Sequence, residues 1–258
     1  MPNWCYSTYA FKSTNKNKDS LQRLHQKLAG VVMKPSGVDM DFEAGWLGEV
    51  ATVHGLNHEQ IPCRGEITHL DALIKGGGDD YGSHFEGKDD CYFKLETETA
   101  WCPMNELWDA VVEQHEGVSY VYVAEEAGCD IFINTDTEGR FFDQRYLLEI
   151  CCNSASLIPS YWTFENVVRP AVGSVSSVVS SEGSETGLIK GSKVGLIDLD
   201  IMEYFRSFGD LQDYFNKLTG RDYETLAEMY SYLEEIISET YGEQNSYLMA
   251  NIREFAFE

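Results

Sequence analysis

The sequence predicts an α+β fold, with an antiparallel sheet of split βαβ connectivity carrying two helices on one face and a helical C-terminal segment. Three observations carry this. Over residues 1–150 the local patterns run strand, helix, strand, strand, helix, strand, with one or two strands appended, an order that suits a single sheet covered by helices. The strand segments alternate apolar and polar residues, as a half-buried sheet requires. Beyond a Ser-rich stretch, Ser174–Glu185, apolar residues recur at helical spacing.

Residues 3–12 are aromatic and β-compatible and open the chain as a strand. Asp19-Ser20 offers an N-cap, Leu21, Leu24 and Leu28 follow on one helical face, and Gly30 stops the helix. Residues 31–88 read as a loop-rich insertion. It carries a strand at Trp46–Val53, a short helix near 67–75 and a Gly-rich loop at Gly76–Gly82.

Cys91–Trp101 alternates, with Tyr92 out of phase, and reads as a half-buried strand. Pro103 suits a first helical turn, and Leu107, Trp108, Val111 and Val112 form an apolar stripe ending before Gly117. Val118–Glu125 is a strand apolar on both faces, broken by Gly128. Cys129–Thr135 is the next strand, and a turn at Asn134–Gly139 leads into a last one, Arg140–Ile150. Residues 151–194 read as an irregular linker. From 195 onward two or three helices are expected: one opening at Leu199–Phe205, one carrying Leu211, Tyr214, Phe215 and Leu218 to Gly220, and one capped by Asp222.

Charge narrows the function classes. The chain of 258 residues carries 43 Asp+Glu against 19 Lys+Arg, net −24. The excess is local: residues 76–150 hold 18 acidic and 4 basic side chains, and residues 195–258 hold 14 and 4. Such a surface repels nucleic-acid phosphates, so direct nucleic-acid binding is not expected. It keeps a protein dispersed, and it also suits a basic protein partner, such as one that grips DNA. No run of 18 apolar residues exists, and the N-terminus lacks a secretory pattern. Seven cysteines without regular spacing point to reduced thiols. A cytoplasmic, membrane-free protein is the expectation.

Three short segments carry a resemblance. Met1-Pro2-Asn3-Trp4-Cys5, Thr99-Ala100-Trp101-Cys102-Pro103 and Tyr122-Val123-Ala124-Glu125-Glu126-Ala127-Gly128 resemble, in order and spacing, the YubB-type ferredoxin-like family of plasmid, phage and bacterial proteins. The resemblance covers about residues 1–150. Cys102 replaces the usual Ser and Met104 the second Pro. It implies the ferredoxin-like topology and an origin in a mobile element. It supplies no activity, and no iron–sulfur spacing accompanies it. Asn3, Trp4, Cys5, Trp101, Cys102, Glu125 and Glu126 are therefore the candidate binding residues. Packing explains them if Trp4 and Trp101 stack across the sheet and Asn3 bonds a neighbouring loop. A binding role requires a pocket at the start of the first strand, lined by Asn3, Cys5, Trp101 and Cys102.

Other constellations are weaker. His54 and His58 lie at i, i+4, with Cys63 and His69 downstream, and would share a face if helical. Gly55 and Asn57 weaken a helix there, and a surface loop is expected. Asn134-Thr-Asp136-Thr-Glu138-Gly139 starts like a calcium loop, but its twelfth position is Arg145, so a turn is expected. Asp198, Asp200 and Glu203 read as an acidic helix N-terminus. No Walker loop, dinucleotide fingerprint or nucleophile elbow occurs, and no cofactor is expected. The reading is a non-enzymatic accessory protein that acts by protein contact through an acidic surface. The alternative is a metal-dependent or hydrolytic enzyme using His54, His58 or clustered carboxylates.

Overall fold

The structure, a computed structural model, describes residues 3–33, 44–74, 90–152, 199–240 and 248–256. The Gly-rich stretch at 76–82, the Ser-rich linker and Asp198 lie outside these residues. The chain forms α+β structure with antiparallel sheets, divided into two compact units. One is Met1–Asp143 with Phe255–Glu258, and the other is Gln144–Glu254.

The first unit contains β1 (Trp4–Thr14), α1 (Lys18–Val32), α2 (Leu47–Val53), β2 (Gly65–Leu70), β3 (Asp90–Ala100), α3 (Asn105–Val112), β4 (Val118–Glu126) and β5 (Ile131–Asn134). Its sheet has five strands in the order β2-β3-β1-β4-β5, antiparallel throughout. Odd-numbered residues of β1 face the helices: Cys5, Tyr9 and Phe11 are fully buried against Leu24 and Leu28 of α1, Val50 of α2 and Trp108 of α3. The period of two along β1 and β3 and the 3.6-residue stripes of α1 and α3 place these groups in one core. Tyr92 is out of phase because it serves the opposite, outer face, where its ring meets Phe141 at 5.2 Å.

The insertion departs from expectation. Trp46–Val53 is not a strand. Trp46 makes a single bridge to Glu66, and α2 follows, burying Leu47, Val50 and Ala51 at helical spacing. The segment near 67–75 is not helical, and β2 occupies its first half, pairing with β3. In both places burial against a neighbour overrides local propensity. Gly30 does not stop α1 either, since burial of Val31, one turn beyond Leu28, extends it to Val32. The helix begins at Lys18, so Asp19 sits in its first turn rather than capping it.

The second unit corrects the expectation of a purely helical C-terminal segment. β6 (Tyr146–Cys152) is not appended to the first sheet. It is the centre of a three-stranded antiparallel sheet, between β7 (Leu199–Phe205) and β8 (Leu248–Glu254). Leu199–Phe205 is therefore strand, not helix, and Glu203 lies on it rather than at a helix N-terminus. Two helices follow β7. α4 (Phe208–Thr219) is capped by Ser207, whose Oγ accepts the Asp210 N–H, and ends at Gly220 with φ 68°. In α5 (Leu226–Thr240) the cap is Thr225, not Asp222. Its Oγ1 accepts the Glu228 N–H while the Glu228 carboxylate accepts the Thr225 N–H, a reciprocal capping box. Phe215, Leu218, Met229 and Leu233 bury against Leu148, Ile150 and Ile252 of the sheet.

Candidate functional site

The three segments that carry the resemblance meet at Asn3. Its carbonyl accepts the Trp101 N–H at 2.9 Å, and Trp4 pairs with Ala100 in the β1–β3 ladder. Its side-chain amide reaches the turn after β4, where it bonds the Glu126 carboxylate and the Cys129 side chain. Gly128 is required by this approach: a Cβ there would lie 2.1 Å from Asn3 Nδ2. One asparagine thus ties the start of β1 to the ends of β3 and β4.

Glu125 and Glu126 separate, because successive strand residues point to opposite faces. Glu126 turns toward the helix side and is 5% exposed. Its carboxylate accepts a bond from the Cys129 thiol and the backbone N–H groups of Gly128 (2.9 Å) and Cys129, as well as the Asn3 amide. These bonds hold its pKa below the usual value against the opposing effect of burial. Glu126 is a cap for the 127–129 turn. The same carboxylate raises the pKa of Cys129. Cys5 is also on the helix side and fully buried, and burial pushes its thiol up to about 11. It belongs to the core. Cys102 is exposed, and its carbonyl accepts the Thr99 hydroxyl at 2.8 Å.

The two indoles do not stack. Trp4 is 42% exposed and Trp101 47%, and no ring of the described residues packs on either. The expectation that they form a stacked pair across the sheet is overturned. Trp101 also has φ 76°, a left-handed conformation that is a genuine outlier for a bulky residue. A large ring held half in water on a strained backbone is poor design for stability alone. Trp101→Gly is expected to leave the unfolding midpoint unchanged or to raise it by an amount worth up to about 1 kcal/mol, since glycine adopts this φ freely. A loss of more than about 2 kcal/mol in a denaturant titration would show that the ring is a packing element after all.

The sequence reading missed the neighbours of Trp4 on the outer face. Tyr6, two residues along β1, is 60% exposed. In register across the sheet it lies between Glu98 of β3 and Glu125 of β4, and Glu98 in turn pairs with Glu66 of β2. One row therefore reads Glu66, Glu98, Tyr6, Glu125. The next holds Thr8 beside Glu96. Directly opposed carboxylates such as Glu66 and Glu98 disfavour one another. The i, i+2 aromatics of β1 and the i, i+2 acids of β3 were each visible in the sequence, but not the register that sets them side by side.

The histidines disperse. α2 ends at Val53, so His54 and His58 do not share a helical face. His54 is buried, its Nδ1 2.8 Å from the Val50 carbonyl, and its ring lies 5.6 Å from that of His115. Burial lowers its pKa to about 4. His58 is exposed and meets the Trp46 ring, His69 sits beside Asp71, and the Cys63 thiol bonds the His58 carbonyl. Among the described residues no three His, Cys, Asp or Glu side chains are grouped to hold a metal ion. Asp136 is the centre of its turn, its carboxylate accepting the backbone N–H groups of Phe141 and Phe142. Among the described residues no helix is long and apolar enough to cross a membrane.

Comparison with protein-family models, curated proteins and solved structures returned no match for this chain.

Proposed function

We propose that this protein is a non-enzymatic accessory factor that binds a basic protein partner through the outer face of its first sheet. The observation that carries the reading is the row Glu66, Glu98, Tyr6, Glu125 with Trp4 half exposed beside it. Exposed aromatics rimmed by carboxylates are the composition of a recognition patch for cationic surfaces. The net charge of −24 adds long-range steering toward such a partner. In its narrower form the partner is a DNA-binding protein, and the acidic surface competes with DNA for it.

The same proposal places the chain with the YubB-type family of mobile-element proteins. The strand order β2-β3-β1-β4, with α1 leaving β1 and α3 leaving β3, supports a ferredoxin-like topology to which β5 adds a further edge strand. A cytoplasmic protein without cofactor fits this role.

The test is capture by the immobilised full chain from lysate of the native host, with wild type and a Glu96→Lys/Glu98→Lys variant side by side. Wild type is expected to retain a basic protein that elutes as salt is raised, because a Debye length of about 3 Å at 1 M screens the contact. The variant is expected to lose it. Retention of the same protein by both forms would place the contact elsewhere and defeat the proposal.

A further inference from the structure

We infer that the outer face of the first sheet takes arginine side chains from an extended basic segment of the partner, in an Arg-x-Arg spacing. This rests on the docking face proposed above and specifies its ligand.

Trp4 and Tyr6 are alternate residues of β1, and Glu96 and Glu98 are alternate residues of β3, with Glu98 directly opposite Tyr6. The two columns, one aromatic and one acidic, lie about 4.8 Å apart and each repeats at roughly 6.8 Å along its strand; they share one row, Tyr6 opposite Glu98, while Trp4 stands opposite Ala100 and has Glu98 as its diagonal neighbour. An extended peptide laid along β1 repeats its own same-face side chains at that interval, so residues i and i+2 of the peptide meet Tyr6 and Trp4 in turn.

Guanidinium is planar, stacks on aromatic rings and donates in a fork that fits a carboxylate, whereas ammonium is a compact, strongly hydrated charge. A ring flanked by carboxylates favours the former.

The other end of the same face carries a crossing segment of its own. Lys12 and Lys94 point outward there, and the chain itself lays residues 140–143 across them. Lys94 Nζ lies 4.8 Å from the Phe142 ring and donates to the Phe141 carbonyl at 3.1 Å, and Lys12 Nζ lies 5.7 Å from the Phe141 ring. At that end the sheet supplies cations and a crossing segment supplies rings. At the Tyr6 end the sheet supplies rings and acids, and no cation of the described residues lies over Trp4, Tyr6 or Trp101. A crossing segment that brings cations complements that end.

The test uses the full-length protein and three synthetic peptides, Gly-Ser-Arg-Ser-Arg-Ser-Gly, its Lys-for-Arg counterpart and its Ala-for-Arg counterpart. Binding is followed by tryptophan fluorescence and calorimetry at low salt. The arginine peptide is expected to bind about tenfold more tightly than the lysine peptide and the alanine peptide not at all. Tyr6→Phe is expected to keep this preference, while Tyr6→Ala abolishes it without moving the thermal midpoint. Equal affinity for the arginine and lysine peptides, or a preference that survives Tyr6→Ala, overturns the inference. If that happens while Glu96→Lys/Glu98→Lys still abolishes capture of the partner, the acidic docking face stands and only its arginine specificity falls. If peptide and partner binding both ignore the charge reversal, the docking face falls as well.

Discussion

Trp108→Ala is expected to destabilise the first unit by about 3–5 kcal/mol. Trp108 is fully buried on α3, and its ring lies 5.4 Å from those of both Tyr9 and Phe11 on the central strand. Truncation removes the largest buried side chain in this core and leaves a cavity between helix and sheet that the packed aromatics cannot close. The loss is a large share of the 5–15 kcal/mol that typically separates folded from unfolded domains, so about that much should be visible as a sharply lowered midpoint. Among the described residues the indole N–H finds no acceptor. Trp108→Phe therefore removes an orphan donor along with some volume, and should cost well under half as much as the alanine variant. Denaturant titrations followed by circular dichroism compare the three forms. A Trp108→Ala loss below about 1 kcal/mol would mean the α3 stripe does not hold the core.

The second large effect is acid destabilisation through His54. The folded pKa, about 4, lies below the ordinary imidazole value of 6.5. The cause is burial first, with the positive charge of Lys27 and the neighbouring His115 in the same direction and the bond to Val50 opposing. His115 shifts downward for the same reason, burial, aided by Lys27 and Arg23. Among the described residues neither ring has a partner for Nε2. The neutral form is thus the folded form. Above pH 6.5 the contribution of His54 to stability is fully present. As pH falls from 6.5 toward 4 the unfolded chain takes up a proton that the folded chain refuses, and stability declines by about 1.4 kcal/mol per pH unit, approaching 3 kcal/mol in all. Acid also neutralises carboxylates and relieves their repulsion, so the informative quantity is a difference between proteins. His54→Gln is expected to be less stable than wild type at pH 7.5 but to lose markedly less between pH 7.5 and 4.5. Parallel losses in the two proteins would show that His54 does not titrate with folding.

Much of the first unit was legible because its signals are long and local. β1 and β3 each alternate over some ten residues, and α1 and α3 carry apolar stripes that only one helical face can bury. The motif that carries the resemblance was legible as three separated segments. Short segments were not. Trp46-Leu47-Gly48-Glu49-Val50-Ala51-Thr52-Val53 suits a strand by its β-branched residues and a helix by the spacing of Leu47, Val50 and Ala51, and packing on α1 and β2 chose the helix. Leu199–Phe205 has apolar residues on both faces, and a helical period fits it equally well. Pairing with Tyr146–Cys152, some fifty residues away in sequence, made it a strand.

The candidate site shows the same division. The sequence by itself determined which residues are aromatic, which are acidic and that they alternate, hence that each strand offers two chemically different faces. Only the tertiary structure decided which face each residue meets. Cross-strand register put Tyr6 between Glu98 and Glu125. The alternation of β4 sent Glu125 to the open face and Glu126 to the cap. Among the described residues no ring covers Trp4 or Trp101, and both stay half exposed. These are long-range outcomes: no residue's own neighbours in the chain encode the strand that will lie beside it, and burial is a property of that pairing rather than of the residue.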